Sequence, residues 1–513
     1  MKRVKLFVLV IGVLAAARPV VSQREPENAS WNYASAKKVM TEGYWQRWNA
    51  DVQSKIDKDI DLYRKSDASL NFTDVAPGTK VRIEQISHDF IFGANIFNYD
   101  QLGTEERNRR YKELFGTLFN SATIPFYWKK FEMEPGRPRF KQEYWDTEQF
   151  WNSVKKPKEQ PHWRRPAPDP IVEFCISRGI RPYGHTIAWG MQKWQHPEWL
   201  YEQFCPEIEK EKLAKFTKEE LGKLTAKEIA ALAPEYVLAV GRAFDKRVEE
   251  LATYYGDKVP GWDVVNESAV DFHGNAVTGD AVTNSKYGNL LPGDYTNRTF
   301  LKANEVFPKN VSLNINDYAN NQNYADQVKD LLAKGRRIDI MGSQMHLFKP
   351  QQCLDVAAGK EIETPKIVWN KMKIMSQAKL PIHLSEITIT APGDDDKGRN
   401  IQAVIAYNLY RLWFSVESMM GITWWNIVDD CGAPGEPTTS GLFSRNMEPK
   451  PSFFALQELI NKEWVTSLST QTDKNNKISF RGFKGKYRVT WKNEAGDYRE
   501  EIFSLSQNGD GFK

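Results

Sequence analysis

Eight short apolar runs recur between residues 90 and 429, each separated from the next by segments with helical spacing, and this alternation constrains the fold more than any other feature of the chain. The runs are FIFGANIF (90–97), SATIPFYW (121–128), RPYGHTIAW (181–189), GWDVVNE (261–267), SLNINDY (312–318), IDIMGSQMH (338–346), PIHLSEITI (381–389) and GITWWNIVD (421–429). Between them lie stretches such as EYVLAVGRAFDKRVEELATYY, whose apolar residues recur at helical intervals. Eight strand–helix units over a span of about 370 residues predict an α/β chain whose centre, residues 86–462, is a closed parallel (β/α)8 barrel, the TIM-barrel architecture with long loops. The competing open, doubly wound sheet ordinarily carries a glycine-rich phosphate loop after its first strand, and none is present here.

Residues outside the barrel read differently. Residues 23–85 form an N-terminal helical/β region, helical through KIDKDIDLYRK and strand-like in LNFTD and KVRIEQI around APGTK. Residues 463–513, with KISFRGF, KYRVTW and REEIFSL between turn residues, predict a small C-terminal β appendage of accessory character. An insertion at 200–236, with two TKEEL/TAKEI helical starts, is expected to be a solvated helical flap after the third strand.

The first 22 residues combine Lys2, Arg3 and Lys5 with an apolar run from Leu6 to Ala17 and small residues near Ser22, the pattern of a cleavable signal peptide. The run is shorter than the roughly 20 residues that span a bilayer, so a secreted or periplasmic protein without membrane insertion is expected, and it is expected to act as a monomer. The net charge of +4 disappears once Lys2, Arg3, Lys5 and Arg18 are removed, which argues against a nucleic-acid partner. Cys175, Cys205, Cys353 and Cys431 are scattered with no CxxC pair or Cys/His cluster, so neither a metal nor a cofactor is expected, and Cys175 reads as a buried thiol.

Polar or titratable residues end nearly every run, where barrel enzymes hold their chemistry. Glu267, closing GWDVVNE, and Glu386, within PIHLSEITI, stand out because each is flanked by strand-forming apolar residues and an ionised carboxylate there needs a reason. Two acids across a mouth lined with Trp suit glycoside cleavage, which uses one proton donor and one nucleophile or base. Residues i and i+2 of a strand share a face, so Gln344 and His346 can point into the mouth together, as can Trp425, Ile427 and Asp429. His383 shares the face of Ser385 and reads as packing.

WDVVNE, YGHTIAW, LNINDY, SQMH and GLFSRNMEPKPSFFAL, in this order over roughly residues 85–460, resemble the retaining xylanases of glycoside hydrolase family 10. The resemblance implies that Glu267 is the general acid/base, that Glu386 is the nucleophile, and that Asn266 bonds the sugar 2-hydroxyl. It further implies that Gln344 and His346 hold and orient Glu386. His185, Lys129 and Trp189 would line the glycone side, and Trp425 would lie under the sugar at the cleavage point.

The chain departs from the family pattern at several positions. Pro125 and Phe126 replace a Glu-Asn pair, Gly190 replaces a His, Thr388 replaces an acid, and the loop DDCGAPGEPTTSG lacks a second Trp. The expected function is therefore a retaining hydrolase of β-linked polysaccharide or oligosaccharide, endo-β-1,4-xylanase-like. One alternative is a glycosidase of the same scaffold acting on a substituted or non-xylan glycan, with a sugar stacked on Phe126 and Tyr127 in space that Gly190 leaves open. A second alternative is a non-catalytic glycan-binding protein, which would not need both acids.

Overall fold

The computed structural model describes residues 31–506 except 134, 141–165, 192–194, 222, 273–281, 285–289 and 293. The proposed signal peptide lies outside the described residues. All eight apolar runs form strands: β1 (Ile91–Asn95), β2 (Ser121–Pro125), β3 (Arg181–Trp189), β4 (Gly261–Asn266), β5 (Ser312–Asp317), β6 (Ile340–Leu347), β7 (Ile382–Ile389) and β8 (Met419–Trp424). They pair in parallel and in chain order, and β8 closes on β1. Helices α1 (Glu105–Leu118), α2 (Pro168–Arg178), α3 (Pro234–Tyr255), α4 (Tyr295–Val306), α5 (Gln322–Ala333), α6 (Pro365–Met375), α7 (Asp396–Phe414) and α8 (Pro451–Glu458) follow the successive strands and complete the barrel.

The helices begin where the sequence supplies acceptors for their free N–H groups. Thr104, Asn321, Thr364 and Asp395 each accept from a backbone N–H in the first turn of α1, α5, α6 and α7. Ladder register shifts at Ser343/Gln344 in β6, at His185/Ala188 in β3 and at Asp263/Val265 in β4, near the C-terminal ends of these strands. Such irregularities re-aim side chains, and here they occur beside the cavity described below.

The structure revises three expectations. The 200–236 insertion is helical with most of its described residues exposed, as expected, but it is docked and not a free flap, because Leu213, Ile229 and Ala233 are buried in the main core. Its Glu209 carboxylate is also buried, and it accepts the N–H groups of Glu235 and Tyr236, both at 2.9 Å, so the insertion caps α3. The two repeated helical starts are real: Thr217 with Glu220 and Thr225 with Glu228 exchange reciprocal side-chain–backbone bonds.

The two β regions expected at opposite chain ends make one domain. Lys65–Asn71 pairs antiparallel with Lys477–Phe483. Lys80–His88 lies between Ser467–Gln471 and Gly485–Lys492 in a four-stranded sheet that ends at Tyr498–Leu505. Leu70, Ile83, Ile478, Val489 and Leu505 fill the interior between the sheets. Helix Ala50–Arg64 ties this domain to the barrel, where Gln53 accepts from Arg411 at 2.6 Å and Arg64 donates to the Phe414 carbonyl at 2.6 Å.

Third, β8 stops at Trp424 and Asn426 takes a left-handed φ of 62°, so strand alternation does not continue through Asp429. Ile427 is buried in the main core, and Asp429 pairs with the buried Lys450 at 3.0 Å instead of facing the mouth. All four cysteines are buried free thiols. No helix of the described residues is long and apolar enough to cross a membrane.

Candidate active site

A cavity of about 510 Å³ opens at the C-terminal ends of the barrel strands. Glu267 follows β4 with a φ of 54°, a left-handed conformation that costs a non-glycine residue of order 1–3 kcal/mol. Its N–H donates to the Asn316 carbonyl at 2.7 Å, which holds the turn that swings its side chain over the mouth. Glu386 projects from β7 into the same space.

One amide joins the two acids. Gln344 Nε2 lies 3.2 Å from Glu267 Oε1, 3.1 Å from Glu386 Oε1 and 3.3 Å from Asn266 Oδ1. Asn316 Nδ2 adds bonds of 2.9 Å to both Glu386 Oε1 and Asn266 Oδ1. Close approach is needed for this: a Cβ on Gly342 of β6 would stand 2.6 Å from Asn316 Oδ1. Trp189 Nε1 donates to Glu267 Oε2 at 3.1 Å, so both oxygens of that acid are engaged.

Two histidines flank Glu386. His346 Nε2 is 3.6 Å from Glu386 Oε2, its Nδ1 meets Thr388 Oγ1 at 2.9 Å, and its ring stacks on Phe348. Thr388 thus occupies the place of an acidic partner with a neutral hydroxyl. His185 Nε2 is 3.8 Å from Glu386 Oε1, while its Nδ1 meets Asp263 Oδ2 at 2.8 Å. Burial works against protonation of His185, but the Asp263 hydrogen bond and the charges of Glu386, Asp263 and Glu267 outweigh it and hold its pKa above the ordinary value.

Burial and the neighbouring Glu386 charge raise the Glu267 carboxyl to about 7, against the donors Gln344 and Trp189. Burial likewise raises Asp317 to about 6, even though it accepts the N–H groups of Ala269 and Ala319. Asp317 thereby anchors the turn just past Glu267.

Glu267, Glu386, Asn266, Gln344, His346, His185, Trp189 and Trp425 all line this one cavity. Lys129 does not. It lies in the helical turn Trp128–Phe131, where the buried indole of Trp128 packs on Phe244 and leaves the Lys129 ammonium facing Glu198 at 2.6 Å. Phe126 is not a sugar platform either: it is fully buried, with its ring 4.6 Å from Trp262 and 5.2 Å from Tyr255. The stacking surface expected there is absent, and Tyr127 alone of that pair reaches the cavity. His383 is buried against Thr423, as packing.

Several participants escaped the sequence reading. Asn316 had a signal: Leu313 and Ile315 are apolar while Asn314 and Asn316 alternate with them, which marks a polar inward face. Asp263 lies inside GWDVVNE and could have been found as a buried acid in an apolar strand. Glu436 had no local signal. Its carboxylate accepts from Trp425 Nε1 at 3.2 Å and from Asn426 Nδ2 and the Ala433 N–H, both at 2.6 Å, and it takes hold of the β8 loop only in the folded chain.

The sequence profile of Glycosyl hydrolase family 10 matches residues 86–459, the whole of the barrel just described. The chain belongs to glycosyl hydrolase family 10. Among similar proteins, endo-1,4-beta-xylanase A of Thermoanaerobacterium saccharolyticum is 25% identical over 298 residues, covering 56% of this family 10 chain and 22% of the relative. Anti-sigma-I factor RsgI6 of Acetivibrio thermocellus is 26% identical over 328 residues, covering 63% of this chain and 34% of the relative. The chain therefore spans about a third or less of the length of these relatives. The crystal structure of xylanase B from Clostridium stercorarium F9 aligns with a TM-score of 0.47 at 21% identity, covering 72% of this chain and 96% of that one.

Proposed function

We propose that this family 10 chain is a retaining glycoside hydrolase that cuts β-1,4-linked xylan-type chains by double displacement, with Glu386 as nucleophile and Glu267 as acid/base. The observation that carries the reading is the shared Gln344 amide. A nitrogen 3.2 Å from one carboxylate oxygen and 3.1 Å from the other keeps those two oxygens closer than the sum of the distances. That is short of the roughly 6.5 Å at which inverting pairs begin to leave room for a water.

Glu386 attacks the anomeric carbon as the glycosidic C–O bond breaks, and Glu267, neutral below about pH 7, gives its proton to the departing oxygen. The glycosyl ester then removes the Glu386 charge that raised Glu267, so the second acid becomes a stronger acid and its carboxylate can take a proton from water. Attack of that water on the anomeric carbon frees Glu386 and returns the sugar with its original configuration. Asn316 and Gln344 hold one oxygen of the nucleophile and leave the other beside His346.

Xylan as the substrate class is supported by the names of relatives such as endo-1,4-beta-xylanase A, and export is supported by the basic start and apolar run before residue 22. The substituted-glycan alternative loses its Phe126 platform, since this ring lies in the core, and keeps Tyr127 in the cavity wall and the small Gly190 as its support. Glu386→Ala is expected to lose turnover by about 10⁴-fold or more and to regain it with azide as a β-glycosyl azide. An inverted anomer, seen by NMR in the first product of the wild type, overturns the assignment.

A further inference from the structure

Trp425 follows β8 and lines the cavity. Its backbone N–H donates to the Ile387 carbonyl at 2.7 Å, so the chain stays tied to β7 one residue past the strand. The side chain is 6% exposed and meets Phe97 and His185, with centroids 5.0 Å and 5.6 Å away and planes at 79° and 75°. Edge contacts of this kind fix where a ring lies and say little about which of its edges carries the N–H. That direction is set by Glu436, whose Oε1 accepts from Trp425 Nε1 at 3.2 Å.

The local sequence explains how a residue so far past the strand reaches the ring. In Ala433–Glu436, APGE, proline is second, Gly435 is third with a φ of 96°, and the Glu436 N–H donates to the Ala433 carbonyl at 3.0 Å, the pattern of a type II turn. The turn folds the Glu436 side chain back on the loop, where Oε2 accepts from Asn426 Nδ2 and from the Ala433 N–H, both at 2.6 Å. Asn426 is the residue that takes a left-handed φ of 62° just past β8. One carboxylate therefore grips both the turn that aims Trp425 and the indole itself. Gly432 leaves room for it, since a Cβ there would stand 2.8 Å from Glu436 Oε2. Glu436 is half-buried and lines the same cavity as the two acids.

We propose that Glu436 is a positioning residue for the reaction: it acts through Trp425, fixing the indole as the surface against which the sugar beside the scissile bond is held. This rests on the double-displacement reading, with Trp425 in contact with that sugar. A turned or tilted indole displaces the anomeric carbon relative to Glu386, and a loss of alignment lowers kcat more than it raises KM.

The test uses the full chain, an aryl β-xylobioside, and fluorine NMR of the protein labelled with fluorotryptophan. Trp425→Phe removes one resonance and so assigns it. Glu436→Gln has a single acceptor oxygen, which can serve the indole or the pair Asn426 and Ala433 but not both. It is expected to shift or split the Trp425 resonance and to lower kcat by about 10–10²-fold, with a smaller change in KM. Gly432→Ala, which pushes on the carboxylate and leaves Glu436 and Trp425 unaltered, is expected to act in the same direction to a lesser degree. In the Trp425→Phe background, whose ring has no N–H, Glu436→Gln is expected to cost much less than in the wild type. Equal factors in the two backgrounds, an unmoved Trp425 resonance in Glu436→Gln, or a moved resonance with wild-type kcat each overturn the proposal. The xylobioside, cleaved by the wild type and not by Glu386→Ala, tests the underlying chemistry by itself. A wild type that leaves it intact sinks the hydrolase reading, while the Trp425 resonance still decides whether Glu436 holds the ring.

Discussion

Inside the β domain the packing between the sheets is carried by apolar residues such as Leu70, Ile83, Ile478, Val489 and Leu505, and the buried polar residues Ser66 and Thr472 carry no charge. At the barrel mouth Asp263, Asn266, Asn316, Gln344 and Glu386 are buried just as deeply. The domain draws its stability from apolar area removed from water, about 25 cal/mol per Å². The mouth gives up such area and pays desolvation for each charge, offset by hydrogen bonds that tie Glu386 to Gln344 and Asn316, and Asp263 to His185 and Tyr183. Buried charge at the mouth belongs to the hydrogen-bonded set around the two acids, and the sandwich interior holds none among the described residues.

The largest effect that separates the two regions is expected at Glu267. Glu267→Gln removes the proton donor and should lower kcat/KM by about 10²–10⁴-fold on substrates with poor leaving groups, with much less loss on activated aryl glycosides. In the wild type the donor form is lost as pH rises, so kcat/KM should fall through a pH near 7, and the Gln variant should lack that limb. Stability has the same sign. A carboxyl raised from 4.5 to about 7 by folding favours the fold when protonated, so its contribution is full below pH 4.5 and is lost as pH rises through about 7. Melting curves should therefore show the Gln variant gaining on the wild type across that window. Equal loss on both substrate types would falsify the acid/base role.

Gln344→Ala leaves the two acids without their common donor. A fall of about 10²–10³-fold in kcat is expected with little change in melting temperature, since removal of one aimed donor commonly costs that much. A variant that keeps full turnover shows that the bridge is incidental.

Leu70→Ala probes the opposite region. It is expected to cost about 2–5 kcal/mol of unfolding free energy in the β domain, read from urea curves, with kcat unchanged in the folded enzyme. A change in kcat without a change in stability would show that the two regions are coupled.

The smallest effect belongs to Thr388→Val, which takes away the His346 Nδ1 partner for about 1 kcal/mol. A several-fold loss in kcat/KM is the expected reading. Kinetics identical to the wild type at every pH mean that His346 needs no partner to support Glu386.

Residues within a regular strand could be placed by counting. Eight apolar runs were enough to predict the barrel, and Gln344 and His346 on β6 both reach the cavity as their i, i+2 spacing predicts. On β7, by contrast, a register shift between Leu384 and Ile387 lets neighbouring Ser385 and Glu386 both meet Asn316, which counting does not show. Expectations failed within one to five residues beyond a strand end. Phe126 and Lys129 follow Pro125 of β2, and Asp429 follows Trp424 of β8; in each case the first turn after the strand, with a buried Trp128 or a left-handed Asn426, sets the direction of everything after it. Partners from distant parts of the chain were equally out of reach: Lys450 for Asp429, Glu436 for Trp425, and Lys477–Phe483 for Lys65–Asn71. Local periodicity encodes which face of an element is apolar. It carries no information about which other face will cover it, and that choice is made only when the elements pack and every buried polar group must find its acceptor or donor.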